Sequence, residues 1–273
     1  MKHILYLCTI STSNYNGYLP YFFTSLCNFN LPNFKIYLIL ISDKRPNFSK
    51  VPKNIEAKLF YPIAHFPYPF NCYLKPLIIQ NALQYFNVNN NSYMMFADVD
   101  TIIRKCDNFN NFENCLLSNK MIFTISPWSM HNNYTEENNL CKDNYPEVYI
   151  PNIQRHNFLQ SSFFAGNVGT YNQFCEEFFD FQLEFTKDWQ NKRIPPMNDQ
   201  SIITKMVYDS PEKYITDFFI TNDYNNYDDI EIAKDIPIYQ RYCDNSFDIS
   251  DKPNIFLIQK FNSYIKKPIR YSI

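Results

Sequence analysis

Two aspartates, one residue apart, close a hydrophobic run in "MMFADVDTII" (94–103). A carboxylate at the end of an apolar strand is costly to bury unless a cation or a set of donors offsets its charge. On an extended backbone, side chains at i and i+2 point to the same side, so Asp98 and Asp100 would present hard oxygen ligands together. In open α/β sheets, ligands bind at the carboxyl ends of strands. The chemistry on offer there is divalent-cation binding, Mn²⁺ or Mg²⁺, with phosphate oxygens and water completing the shell. That is what a departing nucleoside diphosphate needs. A chain of this composition yields about one such pair by chance, so other residues must carry part of the argument.

Several other stretches offer compatible groups. Lys75, in "LKPLIIQNALQYF", lies upstream of the pair and is either a cation able to neutralise phosphate or a solvated surface lysine. "QSSFFAGNVGT" (160–170) holds two of the chain's three glycines. Such a stretch suits either close backbone approach to a ligand or a plain β-turn. "MNDQS" (197–201) opens a helical pattern, with Asn198 or Asp199 as a cap. Its Gln200 is a neutral amide, a poor nucleophile and no general base, but able to aim a carbonyl dipole at a developing positive charge. Trp128 is an aromatic able to stack on a sugar. From Lys260 onward the chain carries Lys266, Lys267 and Arg270 and no acidic residue. That end is a diphosphate clamp, a solvated tail or a patch for anionic lipid.

The elements that would position these residues follow from hydrophobic patterning. "HILYLCTI", "FKIYLILISD", "AKLFYPI", "SYMMFADVD" and "KMIFTIS" read as strands. "NYNGYLPYFFTSLCNF" gives a loop with Gly17 and Pro20 and then a short helix. "LKPLIIQNALQYF" and "CEEFFDFQLEFTKDW" (175–189) have helical spacing. Residues 129–157 read as a polar loop. Strand–helix alternation in the first half predicts an α/β fold with a mixed, mostly parallel central sheet flanked by helices. The expected organisation is one domain over 1–273, with a nucleotide-binding half (1–105) and an acceptor and donor-sugar half (106–273).

Composition narrows the classes. The chain has 273 residues with 45% hydrophobic and 19% charged, so it can build a sizeable core. A formal net charge of −2 gives no electrostatic case for nucleic-acid binding. Eight cysteines are scattered without C-x-x-C or zinc spacing. No stretch approaches the roughly 18 apolar residues of a membrane span. The expected setting is reducing and cytoplasmic, with at most peripheral contact at the inner membrane face through the basic C-terminal end.

Taken in order and spacing, several of these stretches resemble glycosyltransferase family 6, the retaining family of the blood-group A and B transferases and the α-1,3-galactosyltransferases. "FADVD" resembles its metal-binding aspartate pair, and "SPWSM" (126–130) its His-Pro-aromatic turn, with Ser126 in place of His. "YTEE" (134–137) and "VYIP" (148–151) resemble its Tyr-Glu-Arg and Tyr-Ile-Pro segments. "QSSFFAGNVGT" is similar to its Gly-rich donor loop, and "MNDQS" to its Trp-His-Asp-Glu-Ser.

The resemblance covers roughly residues 60–205. It implies a GT-A fold and Mn²⁺-dependent transfer of galactose or N-acetylgalactosamine from a UDP-sugar to an oligosaccharide or glycolipid acceptor. It assigns the metal to Asp98 and Asp100 and catalysis to Asp199 and Gln200. Lys75, Trp128, Gln160, Ser161, Ser162, Gly166, Asn198, Lys266, Lys267 and Arg270 would bind substrate. The family carries Arg where this chain has Lys75, and Glu where it has Gln200.

Gln at that point is similar to family 8 retaining transferases, whereas "KFNSYIKKPI" departs from that family's C-terminal metal motif at Lys260 and Ser263. A family 8-like glucosyl- or galactosyltransferase and a non-catalytic sugar- or nucleotide-binding protein are the other readings. A phosphatase of the haloacid-dehalogenase type is disfavoured, because Ile102 stands where that motif needs Thr and no G-D-x-x-x-D follows.

Overall fold

The structure, a computed structural model, describes residues 2–66, 70–103, 110–125, 134–151, 159–186, 199–221 and 255–259. Strand β1 (His3–Ser11) leads into a 3₁₀ turn (Ser13–Tyr18) and helix α1 (Leu19–Ser25). Strands β2 (Phe34–Ser42) and β3 (Glu56–Phe60) follow, then helices α2 (Phe70–Tyr73) and α3 (Lys75–Tyr85). Strands β4 (Tyr93–Ala97) and β5 (Thr101–Ile103) lead to α4 (Asn110–Leu116), β6 (Met121–Ile125) and α5 (Tyr134–Asn144). The remainder comprises β7 (Leu159–Asn167), α6 (Val168–Thr186), α7 (Asp199–Asp209), β8 (Tyr214–Thr221) and β9 (Ile255–Gln259).

All strands join one sheet, in the order β3-β2-β1-β4-β7-β6-β8-β9-β5. Five of its eight pairings are parallel, and β7 runs antiparallel to both neighbours. The expected mixed, mostly parallel α/β architecture is therefore present, and the sheet draws strands from both halves of the chain. Helices α1 and α4 cover one face through Phe22, Phe23, Phe112 and Leu116. Helices α3, α6 and α7 cover the other through Ile79, Leu83, Tyr171, Phe178 and Ile203. Burial on both faces explains why β1 and β2 are continuous apolar runs rather than alternating ones. Among the described residues no helix is long and apolar enough to cross a membrane.

Three expectations are corrected. Residues 134–144, within the stretch expected to be a loop, form helix α5. Its Cys141 is buried, and Asn138 exchanges hydrogen bonds of 2.8 and 3.1 Å with the backbone of Ile150. Tertiary anchoring thus supports a segment whose polar composition hides the helix.

The glycine-rich stretch is not a loop either. It is strand β7 running straight into α6, and neither Gly166 nor Gly169 has a positive φ. Gly166 pairs with Met94 inside the sheet, and a Cβ there would stand 2.7 Å from Met121 Sδ and 3.2 Å from the Lys120 carbonyl oxygen. The position is crowded by β6, and it lies toward the opposite end of β4 from Asp98.

The aspartate pair, finally, is not on an extended backbone. Strand β4 stops at Ala97, and the Thr101 N–H donates to the Asp98 carbonyl at 3.0 Å, closing a β-turn. The i, i+2 alternation of a strand therefore does not set where these two side chains point.

Candidate functional site

Strands β3, β2, β1 and β4 are parallel neighbours, and the connections leave β1 and β4 in opposite directions along the sheet. The crevice outside the carboxyl ends of β1 and β4 is thus a topological switch point, where open α/β sheets bind ligands. Asp98 and Asp100 follow β4 at this crevice, and the 3₁₀ turn of residues 13–18 follows β1.

Lys75 is the centre of the arrangement. Its Nζ lies 3.5 Å from Asp98 Oδ1 and 3.6 Å from Asp199 Oδ2, with side chains only 11%, 29% and 5% exposed in that order. The ammonium also donates to the Ser161 carbonyl at 3.0 Å and lies near its hydroxyl at 3.5 Å. It sits 5.2 Å from the centroid of the Phe96 ring. Burial alone would lower the lysine's pKa, but Asp98 and Asp199 more than offset it, and the net direction is up. Lys75 is therefore held as a buried cation, not as the solvated surface lysine the sequence also allowed.

Local structure explains its position. Lys75, Ile79 and Ala82 are all buried on α3 at i, i+4 and i+7, so the lysine lies on the core-facing stripe of its own helix. That spacing was a readable sign of burial. Pro76 occupies the first turn, where a missing N–H costs nothing. The Tyr171 hydroxyl on α6 donates to the Pro76 carbonyl at 2.8 Å, tying the start of α3 to α6. Tyr171 also stacks on Phe164, which stacks on Phe96 under the ammonium.

Strand β7 shifts register against β6 beside this site. Phe123 of β6 pairs with Phe164, but the next residue, Thr124, pairs with Gln160. Ser161 and Ser162 therefore lie in a bulge outside the β6 ladder, the device by which sheets re-aim residues near functional sites. The Ser162 carbonyl accepts from the Asp98 N–H at 2.9 Å. Its hydroxyl is buried and, among the described residues, has no hydrogen-bond partner, a ready acceptor or donor for a ligand oxygen.

Asp199 is buried in the first turn of α7, where the helix dipole favours a carboxylate. Gln200 follows it on the same helix and is partly buried. The backbone of Gln160 is part of β7. Trp128, Asn198, Lys266, Lys267 and Arg270 lie outside the described residues.

The sequence reading missed the rim on the β1 side. Tyr15 is half exposed on the 3₁₀ turn. Partial burial, then the Asp100 and Asp98 carboxylates, push its phenol up to about 12. The turn is anchored by Asp43, just beyond β2, whose carboxylate accepts from the Ser13 N–H and the Asn16 side chain, both at 2.9 Å. Ser13 has φ 54, a strained conformation for serine that the Asp43 bond helps to hold. Asp43 as the polar end of a buried strand was the available signal.

The donor set suits a hard divalent cation only when a ligand supplies further oxygens. Among the described residues no group of three or more His, Cys, Asp or Glu could hold a metal ion alone. Among the described residues, Asp98, Asp100 and Asp199 with the Lys75 cation sum to a formal charge of −2. Two of these carboxylates follow β4 directly, which fits a dication shared with a bound diphosphate.

The fold and site thus define an α/β protein with a carboxylate- and lysine-lined crevice at a switch point. Comparison with protein-family models gives no match, and comparison with curated proteins gives none.

Proposed function

We propose that the protein is a retaining glycosyltransferase of the GT-A type that moves galactose or N-acetylgalactosamine from a UDP-sugar to a glycan hydroxyl. The observation that carries this reading is the placement of Lys75 between Asp98 and Asp199. It joins the aspartate turn after β4 to the start of α7, the two stretches that a sugar-nucleotide transferase must bring to one diphosphate-linked sugar. The resemblance of the separate motifs to family 6 supports the same reading.

In this account Asp98 and Asp100 would hold Mn²⁺ or Mg²⁺, which when bound supplies charge neutralisation of the diphosphate. Lys75 adds a fixed cation beside the phosphates and holds Asp199 in place. Asp199 accepts a hydrogen bond from a donor-sugar hydroxyl. Gln200 directs its carbonyl dipole at the anomeric carbon as positive charge develops there. A neutral amide does not form a covalent glycosyl intermediate by displacement. Transfer therefore proceeds on one face of the sugar, with the leaving phosphate oxygen accepting the proton of the acceptor hydroxyl. The Ser161 and Ser162 bulge and Tyr15 line the donor, the first at the sugar and the second at the base. The Lys266, Lys267 and Arg270 cations are assigned to the diphosphate as well.

The test is to incubate the protein with Mn²⁺ and a panel of UDP-sugars and to follow UDP release with and without glycan acceptors. Release confined to UDP-galactose or UDP-N-acetylgalactosamine and stimulated by an acceptor is the expected result. Release from UDP-glucose alone would move the protein to a family 8-like reading. Metal-dependent UDP binding with no release from any sugar would make it a binding protein.

A further inference from the structure

A second cleft, of about 440 Å³, opens at the other end of the sheet. Its floor begins at Met121 and Tyr214, paired first residues of the parallel strands β6 and β8. Strand β4 runs parallel to β6, because both are antiparallel to β7. Ile122 and Met95 face the same β7 residue, Ala165, so Met121 and Asp98 are about 13 Å apart along the strands at ~3.3 Å per residue. The cleft is distinct from the carboxylate crevice.

Its walls have a definite chemistry. Gln173 and Glu177 stand four residues apart on the face of α6 that lines the cleft, and Phe174 lies between them in the floor. The buried ring of Phe123 lies 5.4 Å from Phe174 and 5.8 Å from Tyr214, so aromatic packing backs the cleft. Lys120 and Lys213 are matched by Glu177 and Glu212, giving the lining no net formal charge. Lys213 and Glu177 form an ion pair of 2.8 Å with both side chains near half exposure. An exposed pair of this kind contributes little, so a ligand can displace it cheaply. Burial, followed by Glu177, raises the pKa of the Tyr214 phenol.

We infer that this cleft binds a neutral, hydroxyl-rich ligand, a sugar residue or short glycan. The charge balance disfavours phosphates and free cations. The mixture of amide, carboxylate, ammonium and phenol offers both donors and acceptors to vicinal hydroxyls. The lining residues are mainly polar, with Ser118, Asn119, Thr170 and Gln173 beside the charged pairs, and the volume lies within the range of small-molecule sites. The inference does not rest on the transferase reading.

The experiment is amide chemical-shift perturbation on the full chain, titrated with galactose, glucose, lactose, maltose and chitobiose. The expected result is saturable shifts at Lys120, Gln173 and Tyr214 with at least one of these sugars. Gln173→Ala and Glu177→Ala, both at accessible side chains, should each weaken that binding about tenfold and leave the melting temperature unchanged. No saturable shift with any sugar overturns the inference. So does a shift that appears only around Asp98 and Ser162, or one that both variants retain at full affinity.

Discussion

Lys75 and Asp199 approach to 3.6 Å although they lie on helices contributed by opposite halves of the chain. Removing the lysine leaves two carboxylates facing each other in a largely buried site. Breaking a buried pair in this way costs about 3–5 kcal/mol, and the partial exposure of Asp98 places Lys75→Met at or below the lower end. A double-mutant cycle with Asp199→Asn should show a coupling of about 1–3 kcal/mol by urea unfolding. Because the lysine's pKa is raised on folding, its contribution is complete below the ordinary lysine value. It is lost as pH rises through the higher folded value. Additivity of the two substitutions would contradict the pairing.

Tyr15 is the expected platform for the base of a bound nucleotide. Tyr15→Ala should weaken UDP binding by about 1–3 kcal/mol, the usual worth of base–aromatic stacking. Asp43→Ala should reproduce part of that loss without touching the ligand, since it frees the turn that carries Tyr15. Calorimetric titration with UDP checks both. Unchanged affinity in the two variants would remove the β1 rim from the site.

Gly166 separates a structural reading from a sugar-facing one. Gly166→Ala forces a methyl against Met121 and the Lys120 carbonyl. Overpacking of this kind costs about 1–3 kcal/mol. The melting temperature should fall while activity per folded molecule stays constant. A loss of donor binding at unchanged stability would reverse the assignment.

These outcomes bear on what the sequence could disclose. The apolar runs of β1, β2, β4 and β6 were legible because both faces of the sheet are covered, leaving Ile, Leu, Met, Phe and Tyr little competition. Asp98 and Asp100 were legible as polar residues ending such a run. Their turn was not, since a hydrogen bond from Thr101 to Asp98 leaves no compositional trace. The paired glycines suggested a loop, whereas Gly166 answers a steric demand made by Met121, a residue of another strand. Lys75, Asp98 and Asp199 were each visible singly. Their meeting depends on the β7 bulge and on Tyr171 holding the start of α3, neither of which is a local property. Helix α5 was hidden by its polar composition, while the Asn138–Ile150 exchange and buried Cys141 anchor it through tertiary contacts.

The central claim is that the crevice after β4 holds a nucleoside diphosphate through Asp98 and Asp100 with a divalent cation. The most direct measurement is titration calorimetry of UDP with and without Mn²⁺, for the natural chain and for Asp98→Asn combined with Asp100→Asn. Mn²⁺-dependent binding that falls at least about tenfold in the variant is expected, with the melting temperature showing that the variant remains folded. Binding of UDP that ignores Mn²⁺, or that persists at full affinity in the folded double variant, would contradict the claim.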